Sequence, residues 1–448
     1  MKIHFSDYDN LLSTLSEIQT VTDDGLNSDN IKSTFFQVKR HEDEYSLNII
    51  GTNRLILFRK AYPIGKVNIT IDANDGTNFN FVEDELFFGI NSKELIDFLN
   101  TYKGSSLNYV EGVSINVVFN EKGASKITCV VYESENSDDK SDEEKQNSMM
   151  EFMESDEDSS EKEVKHFRSQ WVFDGVIPDR NVSQVMHYEV PKSELIPVSN
   201  QMMHIVTANL IPLLNTDTSI YSFINFNELP QEEDDSPAMT IVFSNAFTTF
   251  LSNFVANEVF SGIRLNYKVV NFIDKIIVGN RYNSEDEYFE ATKTKENIYC
   301  KWGSNGENEA FLTYDTKLTD FRSQLKARSK AYSFTINRFN LKDVIKRLSL
   351  INDTAIVHMD DSNDYLKLSN SKFEQEVPFI DKFNLDGLEN DKFRIKPDVF
   401  TKVLIGDINR DAGTNDDIVV YINPDTAVLT FTTEDGFWQS LVRVKLIK

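Results

Sequence analysis

The residues able to do chemistry are few and poorly grouped. Asp407, Asn409 and Asp411 have the spacing of the first three ligands of a calcium-binding loop. The sixth loop position, however, is Ala412 where the sharp turn needs glycine, and the twelfth is Ile418 where a bidentate glutamate should close the shell. The six histidines, His4, His41, His166, His187, His204 and His358, share no ligand spacing, and Cys129 and Cys300 have no cysteine or histidine partners at zinc-site spacing. Asp360 and Asp361 read as a turn between strands, where paired carboxylates face solvent. The sequence contains no Gly-x4-Gly-Lys-Ser/Thr, Gly-x-Gly-x-x-Gly, His-Glu-x-x-His or Gly-x-Ser-x-Gly. General acid–base, nucleophilic and metal-assisted catalysis therefore have no anchor. The expectation is a protein that is not an enzyme and needs no metal or cofactor; a metal-dependent hydrolase hidden among the many carboxylates is the disfavoured alternative.

The elements that could position these residues follow a repeat. Six times a short strand-like run ends at Ser, Asn or Pro and an amphipathic helix follows: KIHFSDYDNLLSTL from Lys2, FGINSKELIDFL from Phe88, YEVPKSELIPVSNQMMHIV from Tyr188, IRLNYKVVNFIDKII from Ile263, FTINRFNLKDVIKRL from Phe334 and FRIKPDVFTKVL from Phe393. Ser6 with Asp9, Asn91 with Glu94, and Asn340 with Asp343 supply cap chemistry, and Pro397 suits a first helical turn. Leu341, Val344, Ile345 and Leu348 fall on one face of a helix over 340–351, and Val399, Phe400, Val403 and Leu404 on one face of another over 397–408. Between the junctions lie alternating runs such as 46–62, 114–132 and 239–255, and the last hairpin turns fall at Asn423-Pro424 and Asp435-Gly436. Each unit thus reads as strand, helix and about three strands, an α+β pattern whose six units pair into three domains.

Length, at 448 residues, also calls for several cores, and two cysteines with no apolar leader or 18-residue apolar run suit a soluble protein of a reducing cytoplasm. The net charge of −26 argues against tight DNA binding over the whole surface. Much of it is local. Residues 133–163 hold 14 Asp or Glu against Lys140, Lys145 and Lys162, a charge of −11 that leaves −15 elsewhere, so 133–165 reads as a disordered acidic insertion. Basic residues recur instead on the helices: Lys93 on the second; Lys192 at the start of the third; Lys268 and Lys275 on the fourth; Arg338, Lys342, Lys346 and Arg347 on the fifth; Lys396, Lys402 and Arg410 on the sixth. The first helix offers Asp7, Asp9 and Glu17 and no base.

This layout resembles the bacterial DNA polymerase III beta subunit, the sliding-clamp family, in divergent and possibly phage-encoded form. HFRSQWVFDGVIPD at 166–179 is similar to the strand and proline-containing link that closes the first clamp domain, AFLTYDTKLTDFRSQL at 310–325 to the link closing the second, and LVRVKLIK to the family's carboxy-terminal strand. The resemblance implies three tandem DNA-clamp domains, 1–180, 181–327 and 328–448, each a doubled β-α-β-β-β unit. It implies a ring closed by a head-to-tail homodimer, with helices inside and sheets outside. The expected function is a processivity factor that encircles duplex DNA without sequence preference; a clamp-like recruitment scaffold that does not encircle DNA is the alternative. The basic helix residues named above would face DNA. DNA polymerase and clamp loader would dock a short peptide between the second and third domains, against Ser244, Phe247, Phe321, Leu325, Val442, Val444 and Leu446. No membrane partner is implied, and the setting would be bacterial or phage-infected cytoplasm.

Overall fold

In a computed structural model, the structure describes the chain except for residues 23–31, 42–43, 72–84, 104–107, 121–122, 136–165, 179, 212–222, 229–238, 245–247, 255–257, 280–287, 319–331, 351–353, 360–363, 386–391, 398, 401–415, 426, 434–437 and 448. The acidic insertion beyond Glu135 therefore lies outside the described residues, as do the Asp407–Asp411 run and the Asp360-Asp361 turn. The chain is α+β, and every strand pairing among the described residues is antiparallel. It divides into two compact units, residues 1–192 with 299–312, and residues 193–298 with 313–448.

The first unit carries β1 (Lys2–Phe5), β2 (Ser33–His41), β3 (Glu44–Thr52), β4 (Ile56–Ala61), β5 (Val67–Thr70), β6 (Glu85–Asn91), β7 (Asn108–Asn120), β8 (Gly123–Glu135) and β9 (His166–Asp174). Its helices are α1 (Tyr8–Thr22), α2 (Ser92–Asn100) and the short α3 (Arg180–Met186). One sheet runs β5-β1-β7-β8-β9, and a second runs β6-β2-β3-β4. The apolar stripe of α1, with Leu11, Leu15 and Ile18 fully buried, packs on β2, β3, β4 and β7, while α2 adds Leu95 and Leu99. Each such side chain contributes roughly 1.5–3 kcal/mol of apolar burial. Phe36 and Phe88 stack in the same core at 4.9 Å. The helices are tied to each other by the Tyr8 hydroxyl donating to the Leu99 carbonyl (2.8 Å) and the Thr22 hydroxyl donating to Ser92 Oγ (3.1 Å).

Residues 299–312 add the hairpin of β16 (Asn297–Trp302) and β17 (Asn308–Thr313), and β17 pairs with β4. This aligns Gly89, Phe35, Ile50, Arg59 and Glu309 in one cross-strand row. Phe35 and Ile50 in that row are fully buried, and the segment after β9 is bonded to the row at Gly89 and Arg59. Gly89 and Val176 exchange backbone hydrogen bonds (3.1 and 2.8 Å), and Arg59 donates to the carbonyls of Met186 and Tyr188. A Cβ at Gly89 would lie 2.7 Å from the Phe35 ring, which is why glycine stands there.

The second unit contains β10 (Ile196–Ser199) paired with β15 (Tyr288–Lys293), and a long sheet built from β11 (Phe223–Glu228), β12 (Met239–Ser244), β13 (Thr248–Phe254), β14 (Ile263–Asn266), β18 (Tyr332–Asn337), β19 (Ala355–Met359), β20 (Tyr365–Ser369), β21 (Glu374–Asn384), β22 (Lys392–Ile395), β23 (Asp417–Asn423), β24 (Val428–Thr433), β25 (Trp438–Arg443) and β26 (Lys445–Ile447). Its order is β14-β11-β12-β13-β25-β24-β23-β18-β21-β20-β19-β22-β26. Strand β21 serves two neighbours: residues 374–378 pair with β20, and 379–384 pair with β18 across register shifts. The helices are α4 (Asn200–Leu210), α5 (Tyr267–Phe272), which continues as a π-helical turn over Ile273–Val278, and α6 (Arg338–Ser349). Between junctions the chain forms β2–β4, β7–β9, β11–β13, β15–β17, β19–β21 and β23–β25, so the strand, helix and three-strand unit is seen five times among the described residues, and at the sixth place, after β22, residues 401–415 lie outside them.

Candidate nucleic-acid interface

Helices α1, α2, α4, α5 and α6 are each started by a side chain that accepts an otherwise orphaned backbone N–H. Asn91 accepts from the Glu94 amide (3.2 Å), as expected, Ser199 from Met202 (3.3 Å), and Asn266 from Lys268 (2.9 Å). Two caps differ from the sequence reading. Asp7, not Ser6, caps α1 by accepting from Asn10 (2.8 Å), and Ser6 instead donates to the Lys66 carbonyl. Asn337, not Asn340, caps α6, so that helix starts at Arg338, ahead of the expected 340–351 span. In both cases an Asx side chain at the strand-to-helix corner takes the cap, one residue later than expected at α1 and three residues earlier at α6. Pro397, Val399 and Phe400 are helical, with the amides of Val399 and Phe400 bonded to the Lys396 carbonyl. Lys402 and Arg410 lie outside the described residues.

These starts decide which basic residues stand on a helix surface. Lys93 on α2, Lys275 in the π turn, Lys346 and Arg347 on α6, and Lys396 are exposed, while Lys268 and Lys342 are half-buried. Arg347 donates to the Gln375 side chain of β21 at 3.0 Å. Two expected positions fail. Lys192 is exposed but precedes β10, and α4 begins at Asn200, because the residues from Ile196 first complete a strand against β15. Arg338 is buried, 5% exposed, with its guanidinium over the Phe339 ring and 3.8 Å from Asp416. Burial at the strand-to-helix corner withdraws it from any interface.

The acidic look of α1 is also softened. Lys66 pairs with Asp7 at 2.7 Å and Lys60 with Glu17 at 2.8 Å. Burial alone would raise the Asp7 carboxyl, yet the hydrogen bonds from Lys66 and the Asn10 amide hold it below the ordinary range. Sequence reasoning missed these pairs because the lysines come from β4 and the turn after it. The exposed face of α1 that remains, Asp9, Ser13, Ser16 and Thr20, has no base.

For the expected peptide site, Phe247, Phe321 and Leu325 lie outside the described residues, and Ser244 ends β12 opposite Thr249. Val442 is buried in β25 between Thr248 and Leu429. Val442, Val444 and Leu446 do not continue one strand. The chain changes partners at Val444, whose amide bonds to the Ala427 carbonyl, and Leu446 pairs with Phe393 of β22. The insertion boundary shifts as well: Glu133–Glu135 finish β8, with Glu133 opposite Phe167. Strand alternation there was hidden by the charges.

Exposed apolar side chains form a feature the sequence did not flag. On β9, which among the described residues pairs only with β8, Phe167, Trp171 (56% exposed) and Val172 are open, and Trp171 leans on Phe98 of α2. In the second unit Leu350 (87% exposed), Tyr365, Ile380 and Phe383 are open on the end of α6, β20 and β21. The readable signal was the broken alternation of HFRSQWVFD and IDKFN. Among the described residues there is no group of His, Cys, Asp and Glu able to hold a metal, and no helix is long and apolar enough to cross a membrane. Burial pushes the Cys129 thiol up to about 12 and raises that of Cys300 further, which disfavours the reactive thiolate at both.

No protein-family model matches the chain, and no curated protein matches it in sequence. Solved structures do match. The DNA polymerase sliding clamp of Bacillus subtilis superposes with a TM-score of 0.66 at 11% identity, covering 100% of both chains. The DNA polymerase III beta chain of Streptococcus pneumoniae gives 0.65 at 10% identity over 99% of each chain. The Helicobacter pylori beta clamp, solved with a DNA ligase peptide, gives 0.63 at 13% identity over 99% of this chain and 100% of that one. Over its whole length, and despite little shared sequence, the chain has the fold of the DNA polymerase III beta subunits, the sliding clamps.

Proposed function

We propose that the chain is a DNA sliding clamp, a non-enzymatic processivity factor that encircles duplex DNA in the bacterial or phage-infected cytoplasm and tethers the replicative polymerase. One observation carries the reading: the likeness to clamp structures covers 99–100% of the chain. On this reading residues 1–180, 181–327 and 328–448 are the three clamp domains, with helices inside and sheets outside. Lys93, Lys268, Lys275, Lys342, Lys346, Arg347 and Lys396 face DNA, joined by Lys402 and Arg410. A loose basic lining suits sliding, since contacts to phosphate carry no sequence information and an acidic exterior repels DNA elsewhere.

The two open apolar surfaces support a head-to-tail ring closure. A two-fold symmetric dimer would use one patch twice, whereas two different patches on one chain suit a heterologous, head-to-tail contact. The β9 surface of one protomer meets the Leu350, Ile380 and Phe383 surface of its partner, so that a homodimer closes both joints. Polymerase and clamp loader dock a short peptide near Ser244, Phe247, Phe321, Leu325, Val442, Val444 and Leu446; the peptide bound to the Helicobacter pylori clamp supports that mode.

The test is retention on nicked circular DNA against the same DNA linearised after loading. Loss on linearisation is expected. Equal retention would leave the recruitment scaffold, a reading favoured by the absence of any Lys or Arg in α1 and α4.

A further inference from the structure

The sheet segment β21-β20-β19-β22-β26 ends in a basic strip that the DNA-facing helices do not account for. In β22, KFRI, the exposed Lys392 and Arg394 alternate with the buried Phe393 and Ile395, so both bases stand on the face away from the core. Register sets Arg394 between Ile356 of β19 and Lys445 of β26, and Lys445 is exposed as well. Arg394 and Lys445 are therefore directly opposite, an arrangement in which like charges repel. Strands β19, β22 and β26 together carry these three bases and His358, and no carboxylate. The first carboxylates met along the described strands are Glu374 and Glu376 of β21, three strands from β22, and Glu374 is already paired with Lys367 at 2.6 Å.

Among the described residues, Lys392, Arg394 and Lys445 form no ion pair. In a chain with 46 basic and 72 acidic residues, unmatched like charges held side by side point to an anionic occupant. Lysine on an edge strand can serve simply to keep other strands away. That accounts for Lys445 on β26, but not for Arg394 and Lys392 on β22, which is paired on both sides. The chain itself supplies the counter-charge. Residues 133–163 hold 14 Asp or Glu against three Lys, and 30 residues, 136–165, separate the end of β8 from the start of β9. Held at both ends, such a segment can reach about 50 Å from its base at about 3.4 Å per residue. Strand β26 lies four strands from β21, or about 19 Å at about 4.8 Å per strand.

We propose that residues 136–165 of one protomer lie along the Lys392, Arg394 and Lys445 strip of its partner, as an electrostatic tether across the ring joint. The proposal rests on the clamp reading, in which β9 of one protomer meets the β20 and β21 surface of the next and so brings the strip within that reach. Attraction of this kind, at the rim of an apolar joint, speeds the encounter of subunits more than it slows their separation.

Full-length protein labelled with heavy nitrogen is mixed with an equal amount of unlabelled protein, equilibrated, and treated with a carbodiimide, which condenses a carboxylate with an amine in contact with it. Peptides joining Lys392 or Lys445 to an Asp or Glu of 136–165 are expected. About half of them should combine one labelled and one unlabelled chain, as random exchange between two copies requires. Relative to Lys346 of α6, which is also exposed, their yield should be higher and should fall at least about fivefold between about 0.05 M and about 0.5 M salt, as exposed charges become screened. A yield at Lys392 and Lys445 no higher than at Lys346 overturns the proposal. So do joined peptides that never mix labels, which would mean that each segment folds back on its own chain. If these cross-links are missing and R394E/K445E instead loses affinity for a short duplex, the strip takes nucleic acid and the proposal fails. Sedimentation of the same mixture separates the two readings: dimers without these cross-links remove the tether and leave the ring, whereas protein that stays monomeric removes both.

Discussion

Arg59 offers the sharpest test of how the first unit holds its covering segment. Its guanidinium is 3.2 Å from Glu309 Oε2 and donates to the carbonyls of Met186 (3.1 Å) and Tyr188 (3.3 Å), in a residue only 9% exposed. It also lies 5.8 Å from the centre of the Phe311 ring. A hydrogen bond to a charged group contributes about 1.5–3 kcal/mol, but these are long and Glu309 is partly solvated, so the sum is not three times that value. Removing one partner of a buried ion pair typically costs about 3–5 kcal/mol, which is the figure to expect for Arg59→Ala. The loss should appear locally, because all three contacts converge on residues 186–188 and 309. In native-state hydrogen exchange, the Val176 and Tyr188 amides, bonded to Gly89 and Val185, should exchange faster by a factor of roughly 100 or more, each 1.4 kcal/mol being tenfold. Arg59→Lys should fall between, since an ammonium group cannot span the same fork of acceptors. An increase below about tenfold in the alanine variant would refute the claim that this side chain clamps the segment to the sheet.

Gly175→Ala should destabilise the first unit by about 1–3 kcal/mol or more, because the new Cβ would sit 2.3 Å from the Ala124 carbonyl oxygen, a backbone atom of β8 with little room to yield; an unchanged denaturation midpoint would contradict the packing described. Trp171→Glu or Phe383→Asp should give monomers in sedimentation with the fold intact by circular dichroism, whereas unaltered dimers would remove those surfaces from the ring joint. His4 is held neutral: burial, then the nearby Lys2 charge, lowers its pKa from 6.5 to about 4, while Nδ1 lies 2.9 Å from Ser114 Oγ. The unfolded chain therefore binds the extra proton between those values, so stability is full above about pH 6.5 and falls by up to about 3 kcal/mol as pH drops towards 4. His4→Gln should flatten that acid limb of a pH–stability profile; an unchanged limb would assign the effect elsewhere.

The parts of this fold legible in sequence were those set by local chemistry. The strand-to-helix junctions at α1, α2, α5 and α6 and the hairpin turn of β23 and β24 near Asn423 follow from caps and periodicity. What escaped was decided by tertiary pairing. Lys192 looked like a helix start until β10 found β15. Arg338 looked solvent-facing because its burial depends on Asp416, far along the chain. Nothing local announces that LVRVKLI changes partners at Val444, or that Glu133 belongs to a strand and not to the acidic run beside it. For the candidate interface, the basic residues of α2, the π turn and α6 were readable, while the lysines that pair with Asp7 and Glu17 required the fold.

The pairing of β4 with β17 sets a timetable for the ribosome. Strand β4 ends at Ala61, and its partner begins at Asn308. At roughly 5–20 residues per second, the nascent chain carries an unpaired β4 edge for about 12–50 s before the hairpin that covers it is made. An unpaired edge invites pairing with another chain. Truncated products ending before residue 308 should therefore self-associate through β4, and the protein should depend on early chaperone engagement in a way that a chain of separately completed domains would not.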